Sequence, residues 1–247
     1  MAFCTVHFRA KSIGKDTGLN VFLPEADGPL PVLYLLHGLS DDYTRWQRST
    51  SLERYVAGLP LIVVMPDGHR NFYCNDPRPG GSAYEDHIVK DVVDLVDRTL
   101  PTIRSRRGRA IAGLSMGGYG AMMLAMRHPD MFSAACSHSG ALFFAHARRA
   151  KRPGVQAFAD ALPARKYDCF SLARKLKKGR HRLALRLDCG LDDKLLASNR
   201  EFHAHLGRLG IDHEYAEYPG SHNWGYWDEH IQQTLEFVTK KLRIRKG

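Results

Sequence analysis

The sequence lacks a membrane span, a secretory signal and a disulfide framework. No stretch reaches the roughly 18 uninterrupted apolar residues that a span requires. Residues 1–9 have neither the basic start nor the continuous apolar core of a signal, so the reading is a cytoplasmic chain with no membrane span. The five cysteines (Cys4, Cys74, Cys136, Cys169 and Cys189) are odd in number, scattered and without a C-x-x-C pair. That pattern argues against both disulfide pairing and a thiolate metal site, and leaves them as small buried hydrophobes. Acidic residues are scarce in one place: residues 141–182 hold twelve Lys or Arg and only two acids, Asp160 and Asp168. The rest of the chain balances at 24 against 24, so the whole net charge of +10 belongs to that segment. There is no internal repeat and no low-complexity tract.

At 247 residues and 44% hydrophobic content the chain can bury one sizeable core, so a single domain over 1–247 suffices. Residues 5–9 and 19–23 alternate apolar and polar positions, as in a hairpin-like antiparallel start. Short apolar runs at 32–36, 61–65, 132–137 and 183–187 suit buried strands, and 213–218 supplies the last one. Between them, 41–58 reads as a loop and a helix packed through Trp46, Leu52, Tyr55 and Val56. Ser82-Ala83-Tyr84-Glu85 reads as a capping box ahead of a helix with Ile88, Val92, Leu95, Val96 and Leu100 on one face. A helix carrying Leu195, Leu196, Phe202, Leu206 and Leu209 separates the last two strands, and one from about 227 to 242 closes the chain. This alternation predicts an α/β fold, a mostly parallel sheet covered by helices on both faces. The basic segment 141–182, broken by Pro153-Gly154 and Pro163, does not fit that alternation. It reads as a helical lid over the site that places positive charge near the mouth, its Lys and Arg being either a solvated face kept for solubility or a means of attracting anionic esters or surfaces.

The chemistry centres on Gly113-Leu114-Ser115-Met116-Gly117. An apolar run precedes this G-x-S-x-G and a small, then helix-forming run follows it to His128-Pro129, so the serine sits in a sharp strand-to-helix turn. Glycines two residues to each side remove the Cβ atoms that would collide there, and the serine hydroxyl is pushed out at the carboxyl edge of the sheet. Acyl transfer also needs two N–H donors for the oxyanion. Met116, after the serine, supplies one; Leu39, in the loop His37-Gly38-Leu39-Ser40 after the 32–36 strand, supplies the other.

A serine hydroxyl is a poor nucleophile until a base takes its proton, and the imidazole that does so needs a carboxylate. In the α/β-hydrolase order, acid and then histidine follow the serine, each after a strand. Asp192 and Asp193 follow the 183–187 strand, and His222 follows the 213–218 strand. Spacing alone does not choose between the two aspartates, since one can hold the histidine while the other caps the next helix. His203 and His205, two apart on a helix, face different ways and make a poor metal pair. Phe72 and Tyr73, in a long loop over 69–81, are placed at the border of a substrate cleft, and Gly38, Trp46 and Trp224 complete the candidate substrate contacts.

Together, Leu36-His37-Gly38-Leu39, Met65-Pro66-Asp67-Gly68, Asn71-Phe72-Tyr73, the elbow, Gly190-x-x-Asp193 and His222-x-Trp224-x-x-Trp227 resemble the esterase D-like group of α/β-hydrolases. That group takes in tributyrin-type esterases, S-formylglutathione hydrolases, feruloyl and acetyl esterases, and mycolyltransferases. The resemblance implies Ser115, Asp193 and His222 as a triad, with no metal and no cofactor. It implies hydrolysis of a small-molecule ester of short acyl chain, with thioester, feruloyl or acetyl substrates as alternatives. The Thr-Ser-Pro-Arg-Gly run of S-formylglutathione hydrolases is replaced here by Gly68 and then Asn71-Phe72-Tyr73, closer to the tributyrin-type members. Ser221 stands where many members have glycine. A basic chain could instead bind anionic surfaces or nucleic acid, or use a silent hydrolase scaffold for protein contacts. The ordered serine, acid, histidine and oxyanion loop favour the enzyme, so nucleic acid is not an expected partner, and homo-oligomer formation stays open.

Overall fold

Side chains alternate across a strand, and in β3 (Val32–Leu36) this divides the core into two layers. Val32, Tyr34 and Leu36 join one apolar layer, while Leu33 and Leu35 join the other. The computed structural model describes residues 1–144 and 153–244. Within them β1 (Ala2–Ala10), β2 (Lys15–Leu23), β3, β4 (Ile62–Pro66), β5 (Arg109–Leu114), β6 (Ala134–His138), β7 (Ala184–Gly190) and β8 (Glu214–Tyr218) form one sheet of order β1-β2-β4-β3-β5-β6-β7-β8. β1 and β2 make the expected antiparallel hairpin, β2 pairs antiparallel with β4, and every later pairing is parallel. The apolar runs read from the sequence are these central strands, displaced by at most a few residues at their ends.

The helices, in chain order, are α1 (Arg45–Ser49), α2 (Leu52–Val56), α3 (Tyr84–Asp86), α4 (Val93–Thr99), α5 (Met116–Arg127), α6 (Pro153–Ala161), α7 (Ala164–Tyr167), α8 (Cys169–Lys178), α9 (Leu196–Arg208) and α10 (Trp224–Lys241). Residues 87–92 join α3 to α4 as a π-helical turn. α1, α2 and α10 cover one face of the sheet through Trp46, Leu52, Val56, Trp227, Ile231 and Leu235. α4, α5, α8 and α9 cover the other, through residues such as Val96, Met122, Leu172, Phe202 and Leu206. Parallel strands sandwiched in this way leave only their ends open, so functional loops gather at the carboxyl edge.

Two expectations fail. The segment 82–85 is not a capping box: Ala83 precedes α3 with no side-chain cap, and Asn75 Oδ1 instead accepts from Asp86 N–H at 3.1 Å. Glu85 turns inward because three partners await it there, Arg127 Nε at 2.7 Å, His128 Nε2 at 2.8 Å and Tyr167 Oη at 2.9 Å. Nor does the described part of the basic segment bring charge to the cleft. Arg165, Lys166, Arg174, Lys175, Lys177, Lys178, Arg180 and Arg182 are exposed on α7, α8 and the turn into β7. α8 runs toward the amino edge of the parallel strands, where Lys177 Nζ donates to Gly210 O at 3.0 Å and Arg106 bonds the carbonyls of Pro129 and Arg182. Arg148, Arg149, Lys151 and Arg152 lie outside the described residues.

The Glu85 cluster gives the fold a measurable acid dependence. Burial pushes this carboxyl up, but its bonds to His128, Arg127 and Tyr167 outweigh that and hold it at about 2, against an ordinary 4.5. A folded value below the unfolded one means that the stability Glu85 contributes is complete above the ordinary value and is lost as pH falls toward 2. In urea unfolding across this range, the stability gap between wild type and Glu85→Gln should be widest near neutrality and close in acid. A gap independent of pH would contradict this account.

Candidate active site

β5 ends at Leu114 and α5 begins at Met116, which leaves Ser115 alone in the turn. Its φ of 53° is in the left-handed region that non-glycine residues rarely adopt. Backbone hydrogen bonds hold it there: Ser115 N–H donates to His138 O at 2.9 Å, and Ser115 O accepts from Tyr119 and Ala141 N–H at 3.1 and 3.0 Å. A Cβ on Gly117 would lie 2.4 Å from Leu36 O, and one on Gly113 would lie 2.5 Å from the Gly117 carbonyl. Both glycines are therefore required by the close approach of the turn to β3.

The acid and histidine loops are laced together at the same edge. Leu191 N–H donates to Tyr218 O at 2.8 Å and Asp192 N–H to Gly220 O at 2.9 Å. Asn223 caps α10 by accepting from Tyr226 N–H, which sets His222 in the tight entry to that helix. His222 Nδ1 lies 2.8 Å from Asp193 Oδ2, and its Nε2 lies 3.0 Å from Ser115 Oγ. With Nδ1–H directed at the carboxylate, the Nε2 lone pair is left to accept from the serine hydroxyl. The ring is steadied by an edge-on contact with Trp227 at 4.9 Å.

Asp193 Oδ1 also accepts from Leu195 N–H at 2.8 Å, in the turn that leads into α9, and neither aspartate side chain caps that helix. Asp192 is exposed and lies outside the relay. Burial would raise the Asp193 carboxyl, but hydrogen bonds from His222, Leu195 N–H and the buried Ser139 hydroxyl hold it below its ordinary value. It therefore faces the imidazole as a carboxylate. Ser139 was not singled out in the sequence; its position one residue past β6 at the carboxyl edge was the available signal.

The relay opens into a cavity of about 950 Å³. Leu39 and Met116 line it beside Ser115, and Met116 begins α5, whose first N–H groups have no partner within the helix. Of the predicted substrate contacts, Gly38, Phe72 and Trp224 line the cavity, while Trp46 and Tyr73 do not reach it. Trp46 is buried beneath Trp224 and donates to Leu36 O at 3.0 Å; Tyr73, fully buried, donates to His37 O at 3.0 Å. Each has its polar atom satisfied by the backbone under the site, which is why neither faces solvent. Phe143, Phe144, Val155 and Leu195 add apolar wall that the sequence reading did not assign. Lys194 is the only Lys or Arg among the described lining residues, which also include Glu201 and Asp41. His203 Nδ1 lies 2.8 Å from His213 Nε2 and His205 Nε2 lies 3.0 Å from Phe170 O, so the two rings are held apart by separate neighbours. No group of side chains among the described residues has the makings of a metal site, and no described helix is long and apolar enough to cross a membrane.

Sheet order, strained serine turn and hydrogen-bonded relay define a serine hydrolase of the α/β-hydrolase fold. Residues 10–238 match the family model described as putative esterase, and the chain belongs to that family as a carboxylic ester hydrolase. It is 26% identical to an acetyl esterase of Caldicellulosiruptor saccharolyticus, over 97% of this chain and 99% of the relative. Among solved structures it is similar to FphF, a fluorophosphonate-binding serine hydrolase of Staphylococcus aureus, at 30% identity, 98% coverage of both chains and a TM-score of 0.86. An S-formylglutathione hydrolase from the same organism superposes with a TM-score of 0.85 at 29% identity, again over 98% of each chain.

The two aspartates give the sharpest test of this geometry. Asp193→Asn can donate to Nδ1 and hold the wrong imidazole tautomer, so kcat should fall by about 10³-fold or more. Asp192→Asn should stay within about twofold of wild type, as a surface substitution away from the relay. Equal, mild effects on ester hydrolysis would place the functional carboxylate elsewhere.

Proposed function

We propose that the chain is a serine carboxylesterase that cleaves small, short-acyl esters through an acyl-enzyme on Ser115. The observation that carries this reading is the unbroken Asp193–His222–Ser115 hydrogen-bonded relay opening into an apolar cavity. Ser115 Oγ attacks the ester carbonyl carbon as its proton passes to His222 Nε2, and the negative charge moves onto the former carbonyl oxygen. The N–H groups of Leu39 and Met116 stabilise that oxyanion. Collapse breaks the bond to the alcohol oxygen, which takes the proton from His222. A water molecule then gives a proton to His222, attacks the acyl carbon and releases the acid, and Ser115 Oγ recovers its proton.

Phe72, Phe143, Phe144 and Val155 form the apolar side on which an acyl group would rest, and Trp224 and Trp227 the side toward the histidine. The described wall of this cavity is mostly apolar, which suits an ester with an uncharged acyl group. We read the chain as one domain, with α6 as the part of the insertion that borders the cleft through Val155. Five free cysteines, four of them buried, fit a reducing, cytoplasmic setting.

Replacing the nucleophile tests the reading. Ser115→Ala should lose hydrolysis of p-nitrophenyl acetate and butyrate by about 10³-fold or more while its thermal unfolding midpoint stays near that of wild type. A folded Ser115→Ala protein with full activity would end it.

A further inference from the structure

Three consecutive carbonyls at the end of β3 are each held by a buried side chain. Leu36 O accepts from Trp46 Nε1 at 3.0 Å, His37 O from Tyr73 Oη at 3.0 Å, and Gly38 O lies 2.7 Å from His37 Nδ1. The His37 tautomer follows from its other nitrogen. Two groups face Nε2, the Gly68 N–H at 2.8 Å and Asp67 Oδ1 at 3.3 Å; the nearer is a donor, which occupies the Nε2 lone pair, while Asp67 Oδ1 accepts from His69 N–H at 2.9 Å, so the ring proton is on Nδ1, directed at Gly38 O. His37 and Tyr73 are 1% and 0% exposed, and neither lines the cavity.

A trans peptide is planar, so its C=O and N–H point in opposite directions. Gly38 O and Leu39 N belong to one peptide unit. Holding that carbonyl inward toward the imidazole turns the Leu39 N–H outward, on the side of Ser115. Resting on the esterase reading above, we infer that His37 and Tyr73, with Trp46 beneath them, are positioning residues that fix the Leu39 N–H as a preformed oxyanion donor.

The surroundings are built for the same end. Tyr73 sits at φ 57°, and His69 and Phe72 in the same loop also have positive φ, at 46° and 50°. Strain of this kind persists only where packing over-determines it. Here the Tyr73 ring fills the space against Gly68 and Gly120, where an added Cβ would lie 2.1 and 2.4 Å from ring carbons. Complete burial pushes the Tyr73 phenol well above its ordinary value, so the hydroxyl keeps the proton it donates to His37 O. Asp41 N–H adds a second bond to Gly38 O at 3.2 Å, which closes the turn.

Oxyanion donors act on the transition state and hardly on the bound ester, and that difference supplies the test. Wild type, Tyr73→Phe, His37→Ala and His37→Asn are compared on p-nitrophenyl acetate and on a trifluoromethyl ketone, whose hemiketal oxygen on Ser115 occupies the oxyanion position. Tyr73→Phe and His37→Ala should lower kcat by about 10- to 100-fold, leave KM within about threefold, and weaken the ketone by the same factor as kcat/KM. His37→Asn, whose amide can take the place of Nδ1–H, should recover most of the His37→Ala loss. Ketone affinity that stays at the wild-type value while activity falls, or a loss carried by KM, would overturn the inference. If His37→Ala does not fold, Tyr73→Phe decides. Amide exchange at Leu39, measured without substrate, should be faster in Tyr73→Phe than in wild type. That readout separates the two claims: a wild type that hydrolyses no ester defeats the esterase reading, whereas unchanged Leu39 exchange defeats the clamp.

Discussion

The carbonyl oxygen of Leu36 occupies the space into which any side chain at position 117 would project. The fold of the site follows from that single contact. Because β3 and the turn after β5 meet backbone to backbone, Ser115 has no relaxed conformation available and adopts a φ of 53°. The strain is supported from three sides, by β6 through His138 O and by the N–H groups of Tyr119 and Ala141. The same closeness brings the loop after β3, with Leu39, to the mouth of the serine turn. The serine turn and the loop after β3 are thus placed by packing of main chain on main chain.

The remaining elements are arranged to bring two further strand ends to this edge. β7 and β8 are parallel neighbours, so their following loops emerge together and can exchange backbone hydrogen bonds. Asp193 is fixed in the turn that leads into α9 and His222 at the start of α10, and both orientations are therefore set by helix entries and not by flexible loop. The described part of the positive charge lies on α7, α8 and the turn into β7 and lines no part of the cavity, which keeps an apolar wall. An apolar wall strengthens the interaction of backbone dipoles with a negative charge that develops beside it.

Much of this was legible in the sequence because the relevant patterns are local. Residues 32–36 are apolar without interruption, and they form β3 residue for residue. The G-x-S-x-G turn, the Asp192-Asp193 pair and His222 were read from their order and from the strand before each, and the structure brings Ser115, Asp193 and His222 within hydrogen-bonding distance. What stayed hidden depended on side-chain direction. Trp46, on α1, read both as part of a packed helix face and as a cleft contact, and Tyr73, in the loop after β4, read as a cleft residue. In the structure they point under the site, because unsatisfied carbonyls at the end of β3 draw their polar atoms inward. Glu85 read as a cap for the same reason in reverse: Arg127 and Tyr167 lie 42 and 82 residues away, and their claim on it has no local signature. The choice between Asp192 and Asp193 needed the family pattern, since adjacent residues share every spacing argument.

The central claim is that one serine, activated by one histidine, carries the chemistry. Stoichiometric labelling with a fluorophosphonate, followed by intact-mass analysis and peptide mapping, tests it most directly, because the phosphonyl adduct cannot turn over as an acyl group does. The account predicts a single adduct, on Ser115, with esterase activity lost in proportion to the fraction labelled. An adduct on another residue, or full activity in completely labelled protein, would contradict it.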